Sequence, residues 1–186
     1  MMGSNATTVS VVGLGTYGLK IANLLHEHGF TVTALDPFRD TTHASGLTVR
    51  WVRNLDQAVD ASEIVVTCVE THSVMDARLS SPETTYALHG KALLSLNIAS
   101  TRSAATARAI VAWARSANID FLEADLLSEV QEVGSSKCQV VCSGPDRARD
   151  RLHEVLSVLS PVYVDIGHDR GYARLRDTQS ESQTAI

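Results

Sequence analysis

The stretch that decides the fold reads Val11-Val12-Gly13-Leu14-Gly15-Thr16-Tyr17-Gly18. Before Gly13 the chain is apolar, which is typical of a strand buried in a parallel sheet. After Gly18 apolar residues recur at helical spacing through residues 19–25. A strand, a turn with three glycines and a helix in this order predict the first unit of a doubly wound α/β fold.

Each of the three glycines has a physical purpose in such a turn. Gly13 permits the tight turn from strand to helix, Gly15 lets the backbone approach a pyrophosphate, and Gly18 lets helix and strand pack closely. The phosphates would lie on the N–H groups and the positive dipole end of the first helix. We predict dinucleotide binding here, with an unoccupied loop in the same fold as the alternative. The predicted contact residues are Gly13, Leu14, Gly15, Thr16, Tyr17 and Gly18.

The end of the second predicted strand, residues 30–35, bears on which dinucleotide is bound. Asp36 stands where a carboxylate would accept hydrogen bonds from the adenosine ribose hydroxyls and would repel a 2′-phosphate. The next two residues, Pro37 and Phe38, supply no positive charge. Arg39 follows them, and we count it as a further cofactor contact that could reach a phosphate. The sequence therefore favours NAD, and NADP stays open because of Arg39.

Length and composition are those of one globular domain. The chain has 186 residues, of which 44% are hydrophobic and 20% are charged. We expect residues 1–177 to form a single dinucleotide-binding domain. Residues 178–186 are polar, and we expect them to be a disordered tail.

Charge and hydropathy argue against several classes of partner. The formal net charge is −5 and the chain has no basic run, which argues against nucleic acid and anionic membrane surfaces as partners. No stretch approaches the roughly 18 apolar residues of a membrane span. Residues 1–8 have neither the basic nor the apolar region of a signal peptide. We therefore expect a cytoplasmic protein.

The three cysteines, Cys68, Cys138 and Cys142, are interpreted as buried reduced thiols. Two of them lie in apolar, strand-like runs, and Cys138 and Cys142 are too far apart along a strand for a natural disulfide. No cluster of ligands with metal-binding spacing accompanies them. We assign no metal site.

Strand and helix patterns alternate along most of the chain. This alternation predicts a doubly wound, Rossmann-type, mostly parallel sheet with helices on both faces, in a single domain. Further strands are predicted at residues 48–52, 63–69, 92–97, 120–124, 139–143 and 161–166. Helices are predicted at residues 54–59, 73–79, 103–117 and 146–159, with a turn at residues 80–83.

Four segments share their order and spacing with one protein family. They read Gly-Leu-Gly-Thr-Tyr-Gly at 13–18, Ser-Thr-Arg-Ser-Ala-Ala-Thr-Ala-Arg at 100–108, Phe-Leu-Glu-Ala at 121–124, and Gly-His-Asp-Arg-Gly-Tyr-Ala-Arg-Leu-Arg-Asp at 167–177. Over residues 8–177 the chain thus resembles the NAD(P)-binding half of the β-hydroxyacid dehydrogenase superfamily, and within it the imine reductases. Tyr17 stands where methionine is usual, and Ala104 where proline is usual.

The resemblance implies further contacts to the nicotinamide half of the cofactor. The loop after the fourth strand would run beside the nicotinamide ribose. Asn97 and Ser100 would hydrogen-bond the ribose or the carboxamide, although Ser100 could instead cap the next helix. The cofactor-binding residues implied around the fourth-strand loop are Cys68, Val69, Glu70 and Val74.

Two departures from the family pattern concern the substrate. The Ser-Gly-Gly loop that binds a substrate carboxylate in the hydroxyacid dehydrogenases is replaced by Leu127-Ser128-Glu129, and Glu129 would repel a carboxylate. The family's catalytic lysine has no counterpart. Asp177 falls where imine reductases often carry an acid, so the resemblance implies it as the catalytic proton donor. A solvated carboxylate at a helix end is the alternative for Asp177.

The resemblance also concerns assembly and activity. Imine reductases continue for roughly a hundred more residues into a helical domain that forms a dimer and closes the pocket. We expect the last strand and the segment to Asp177 to lack this cover, together with part of the apolar face on the helix of residues 146–159, and hence a homodimer or a heterologous protein partner. Two interpretations stay open. The chain is an NAD(P)-dependent oxidoreductase of imine reductase or 3-hydroxyacid dehydrogenase-like type, or it is a non-catalytic dinucleotide-binding module that needs a partner chain.

Overall fold

The computed structural model describes residues 6–36, 49–68, 72–98 and 104–167. These residues contain eight strands that form one sheet in the order β3-β2-β1-β4-β5-β6-β7-β8. All neighbouring strands pair in parallel except β6 and β7, which are antiparallel. The strands are β1 (Thr8–Val12), β2 (Thr31–Leu35), β3 (Arg50–Trp51), β4 (Ile64–Thr67), β5 (Ala92–Asn97), β6 (Asp120–Leu126), β7 (Val140–Ser143) and β8 (Tyr163–Asp165).

Six α-helices of the described residues cover both faces of this sheet. One core layer joins the sheet to α1 and α6, and a second joins it to α2, α3, α4 and α5. The predicted fold class, a doubly wound and mostly parallel sheet of the Rossmann type, is confirmed. The helices are α1 (Thr16–Glu27), α2 (Leu55–Asp60), α3 (His72–Leu79), α4 (Pro82–Leu88), α5 (Ala104–Ser116) and α6 (Asp146–Leu159).

The predicted turn at residues 80–83 is wrong in its second half, because α4 begins there. The hydroxyl of Ser81 accepts a hydrogen bond from the backbone N–H of Thr84 at 3.3 Å, and Pro82 occupies the first helical turn. Serine followed by proline favours a helix start as much as a turn. The packing of Leu88, which is fully buried, decides between them.

The apolar face of α6 is not uncovered, contrary to our expectation. The helix packs against β5, β6 and α1, so the sheet of its own chain supplies the partner. Four side chains of α6 have no exposed surface: Leu152, Val155, Leu156 and Leu159.

All three cysteines are buried and free, as predicted. Burial raises the pKa of the Cys68 thiol to about 12 and that of Cys142 to about 11. The pKa of Cys138 is raised for the same reason. Raised pKa values leave little thiolate near neutral pH, so these thiols are unreactive in the folded protein.

None of the helices in the described ranges is long and apolar enough to cross a membrane. The described residues also contain no group of three or more His, Cys, Asp or Glu side chains placed to hold a metal ion.

Candidate dinucleotide site

The candidate site lies at the carboxyl edge of the sheet, between β1 and β4. These two strands are neighbours in the sheet, but the chain leaves β1 toward β2 on one side and returns to β4 on the other. Doubly wound proteins bind ligands at such a switch point, outside the carboxyl ends of the strands. The loop that follows β1 is the glycine-rich stretch predicted to bind phosphates.

Two of the glycines are required by the protein's own geometry. Gly13 has a φ of +94°, a conformation that favours glycine, and its N–H donates to the carbonyl of Leu35 at 2.8 Å. A Cβ on Gly18 would lie 1.8 Å from the carbonyl oxygen of Gly13. Gly18 thus allows α1 to pack directly against the turn, as predicted.

Gly15 differs from these two, because a Cβ added there would meet no described atom within 4 Å. Its φ of −63° is also open to any residue. Gly15 is the N-cap of α1, and no side chain of the described residues caps this helix end. The helix start thus has no side-chain cap among the described residues and has open space beside Gly15, which fits a pyrophosphate bound at a helix N-terminus.

Asp36 joins the end of β2 to this loop. Its Oδ2 accepts a hydrogen bond from the backbone N–H of Leu14 at 2.8 Å, and the residue is only 8% exposed. The bond fixes the carboxylate beside the glycine turn. An ionised carboxylate has several acceptor positions, so Asp36 would still be able to accept hydrogen bonds from ribose hydroxyls.

The first turn of α1 also contacts a loop far away in sequence. The hydroxyl of Tyr17 donates to the carbonyl of Ser128 at 3.1 Å, whereas Thr16 is exposed. Ser128 is itself held by the N–H of Gln139, which donates to its hydroxyl at 2.7 Å. Sequence reasoning missed this link, because nothing local pairs residues 111 positions apart.

The loop at residues 127–129 was predicted, by resemblance, to stand in place of a loop that binds a substrate carboxylate. Glu129 is the N-cap of a single 3-10 turn, Val130–Glu132, and forms a capping box with Glu132. Ser128 is 9% exposed, so its hydroxyl is turned into the protein. The loop therefore presents the exposed acidic residue Glu129 and not a pair of glycines.

Cys68 directly follows β4 at the same edge. Its backbone N–H donates to the carbonyl of Val12 at 2.8 Å, and its Cβ would lie 3.5 Å from a Cβ on Gly18. The side chain is only 6% exposed. Cys68 thus packs against the glycine turn, and its predicted contact with the cofactor stays a prediction.

Asn97, at the end of β5, is held by two carboxylates of β6. Its Nδ2 donates to Oε1 of Glu123 at 3.2 Å and to Oδ1 of Asp125 at 2.8 Å. Burial raises the pKa of Asp125 to about 6; the bond from Asn97 opposes this rise and the charge of Glu123 adds to it. Sequence reasoning missed Asp125, because β6 was predicted to end at residue 124.

Some predicted site residues cannot be placed. Val74 lies in α3, and its side chain is outside the description. The contacts assigned to these residues stay predictions. Outside the described residues lie Arg39, Val69, Glu70, Ser100 and Asp177.

The chain belongs to the family of the NAD binding domain of 6-phosphogluconate dehydrogenase, whose model matches residues 8–167. A nicotinamide dinucleotide is therefore the cofactor class of this domain, as predicted from the glycine turn and Asp36. No curated protein gives a significant match to the chain.

Solved structures of imine reductases share the fold. The enzyme from Myxococcus stipitatus is 27% identical, and superposes with a TM-score of 0.84 as a variant in complex with NAD+ and 0.83 in complex with NADP+. An imine reductase from Bacillus cereus is 23% identical and has a TM-score of 0.81. These superpositions cover 95 to 96% of this chain, and the predicted resemblance to imine reductases is thus confirmed. The chain spans 60 to 61% of the length of these structures.

Proposed function

We propose that this chain binds NAD and is the cofactor-binding part of an NAD(P)-dependent oxidoreductase of imine reductase or 3-hydroxyacid dehydrogenase-like type. The observation that carries the proposal is the open space at Gly15, beside an uncapped helix start and a fixed carboxylate at Asp36. The first-turn N–H groups of α1 would hold the pyrophosphate. Asp36 would hold the adenosine ribose.

The bound nicotinamide would supply the hydride, and the chain would supply placement. Asn97 is suited to placement, because its two bonds to β6 fix its amide at the carboxyl edge of β5. By resemblance, Asp177 would provide the proton to a C=N or C=O group. Both roles are proposals.

Oxidation of hydroxyacids by the family's lysine finds no support in this chain. Its three lysines are Lys20, Lys91 and Lys137. The ammonium group of Lys91 is held by the carbonyls of Val59 and Ser62, and it precedes β5 at the amino edge of the sheet. None of the three lysines falls in residues 167–177, the segment that resembles the imine reductase motif. An imine is therefore the better candidate substrate class.

We keep one alternative, a non-catalytic dinucleotide-binding module that works with a partner chain. The observation that favours it is Glu129, an exposed carboxylate built into a capping box where related enzymes bind a substrate carboxylate. An anionic substrate would be repelled there. We propose that the partner is a second copy of this chain or a different protein, and that the chain is located in the cytoplasm.

Calorimetric titration with NADH and NADPH tests the binding proposal. NADH should bind more tightly, because the carboxylate of Asp36 opposes a 2′-phosphate. Asp36→Asn should reduce this preference, because it lowers the affinity for NADH and raises the affinity for NADPH. If neither nucleotide binds at millimolar concentration, the proposal is wrong.

A screen of imines and ketones with NADH separates the two functions. Turnover that is lost in Asp177→Ala, with NADH affinity intact, would support the oxidoreductase. Binding without turnover, by the chain alone and with candidate partners, would support the non-catalytic module.

A further inference from the structure

At the β3 edge of the sheet, the pairing of β2 with β3 places a cationic residue opposite Asp36. In the parallel pair of β2 and β3, Thr33 is opposite Arg50 and Ala34 is opposite Trp51. The N–H of Val52 still donates to the carbonyl of Ala34 at 3.0 Å, so the pairing continues past the end of β3. Counting on in this register, the residue opposite Asp36 is Arg53. Paired strands lie about 4.8 Å apart.

The order of the strands gives Arg53 a definite place relative to a bound dinucleotide. The glycine turn follows β1, Asp36 follows β2, and Arg53 follows β3, the edge strand. From the pyrophosphate outward, the chain thus offers helix N–H groups, then a carboxylate, then a guanidinium. In a dinucleotide bound in this order, the 2′ position of the adenosine ribose would lie at the outer end of this series.

The guanidinium of Arg53 is available for a ligand. The residue is exposed and lines an open groove of about 570 Å³ beside β3 and α2, together with Arg50, Gln57 and the acidic residue Asp60. Within the described ranges no hydrogen bond or ion pair engages Arg53. Its backbone position is fixed by the next residue, because Asn54 caps α2 by accepting from the N–H of Gln57 at 2.9 Å.

We infer that Arg53 binds the 2′-phosphate of NADP beside Asp36, and so sets how far the domain discriminates between NAD and NADP. This inference rests on the proposed dinucleotide site. Arginine is the side chain best suited to phosphate, which it binds through two parallel N–H donors. Asp36 disfavours the phosphate and Arg53 favours it, so the domain accepts NADP with reduced affinity.

Titration of Arg53→Ala with NADPH and NADH tests the inference. NADPH affinity should fall about tenfold or more, the usual size of a charge-assisted hydrogen-bond pair. NADH affinity should change less than about twofold, because NADH has a hydroxyl at the 2′ position. The loss for NADPH should shrink at high salt, since exposed charges are screened.

Arg50→Ala is the matched control. Arg50 is exposed on β3 and lines the same groove, but it lies three residues before Arg53, about 10 Å further from the carboxyl edge. Its removal should leave both affinities unchanged. NADH binding by each variant also shows that the variant is folded.

Each other outcome overturns the inference. If Arg53→Ala lowers the affinity for NADH and for NADPH equally, Arg53 contacts a part that the two nucleotides share. Unchanged NADPH affinity, or a wild-type chain that binds NADH but not NADPH, would mean that Arg53 does not bind the phosphate. If the wild-type chain binds neither nucleotide, the proposed function fails together with it.

Discussion

At the scale of single residues, Gly15 and Gly18 belong to the same glycine motif but are needed for different reasons. A Cβ on Gly18 would collide with the backbone of Gly13, whereas a Cβ on Gly15 would meet open space. The fold itself requires glycine at position 18, whereas only a bound ligand would require glycine at position 15. The two positions therefore separate stability from binding.

We predict opposite phenotypes for two alanine variants. Gly18→Ala should lower the free energy of unfolding by about 2 to 4 kcal/mol, because a backbone contact must give way. Gly15→Ala should change the free energy of unfolding by less than about 0.5 kcal/mol. The same variant should lower the affinity for NADH at least tenfold, because the added methyl group crowds the pyrophosphate. Urea unfolding and calorimetry measure the two effects. A Gly15→Ala variant with wild-type NADH affinity would contradict the phosphate-loop assignment.

Burial of Asp125 disfavours the charged form of its carboxyl group. Its pKa is raised from 3.8 to about 6, so the folded state binds more protons than the unfolded state in that range. The contribution of Asp125 to stability is therefore fully present below its unfolded pKa and is lost as the pH rises through its folded pKa. Solvent screening of this partly exposed group limits the loss to about 1 to 2 kcal/mol.

Asp125→Asn should remove this loss while keeping the bond from Asn97, whose Nδ2 can donate to the new amide oxygen. The variant should match the wild type near pH 4 and exceed its stability by about 1 kcal/mol above pH 6.5. Urea unfolding at a series of pH values measures this. Asp150→Asn, at an exposed position on α6, is the control. Parallel pH profiles for Asp125→Asn and the wild type would contradict the prediction.

At the scale of elements, the structure reassigns the apolar face of α6 from a partner protein to the sheet. Leu156→Ala should therefore lower the free energy of unfolding by about 2 to 5 kcal/mol, as expected for a fully buried leucine. Val158→Ala, on the same helix but only half-buried, should cost less. Urea unfolding of the monomer decides. A neutral Leu156→Ala would restore the interpretation of an uncovered face.

The elements that the sequence predicted well are those with a local pattern. The buried strands, α5 and α6 follow from apolar periodicity. The start of α4 was missed because serine and proline fit a turn and a helix equally. The end of β6 was missed because Asp125 looks polar, although its pairing with Asn97 of β5 lies inside the ladder.

At the scale of the whole molecule, the site depends on contacts that no local pattern contains. The glycine turn and Asp36 were predictable because they belong to one strand–helix–strand unit. The bond between Tyr17 and Ser128 depends on the tertiary fold, and the placement of Arg53 opposite Asp36 depends on the register of β2 and β3. The strand order could not be derived from periodicity alone, so these pairs could not be predicted.

Assembly is a prediction at the same scale. The edge strand β8 exposes Val164, and the preceding Val162 is 78% exposed. Exposed apolar edge strands favour association, so we expect self-association at high concentration. Val164→Lys should weaken it, and Val111→Lys, on the surface of α5, should not. Light scattering measures the mass, and a strict monomer would contradict homodimer formation.

The buried cysteines make local opening of the molecule measurable by chemistry. A thiol reagent can modify Cys68 only when the packing around the glycine turn opens, since burial keeps the thiol protonated and out of reach. Cys142 lies in β7, away from that turn. Saturating NADH should therefore slow the labelling of Cys68 more than that of Cys142, as followed by mass spectrometry. Equal slowing would mean that the nucleotide stabilises only the global fold.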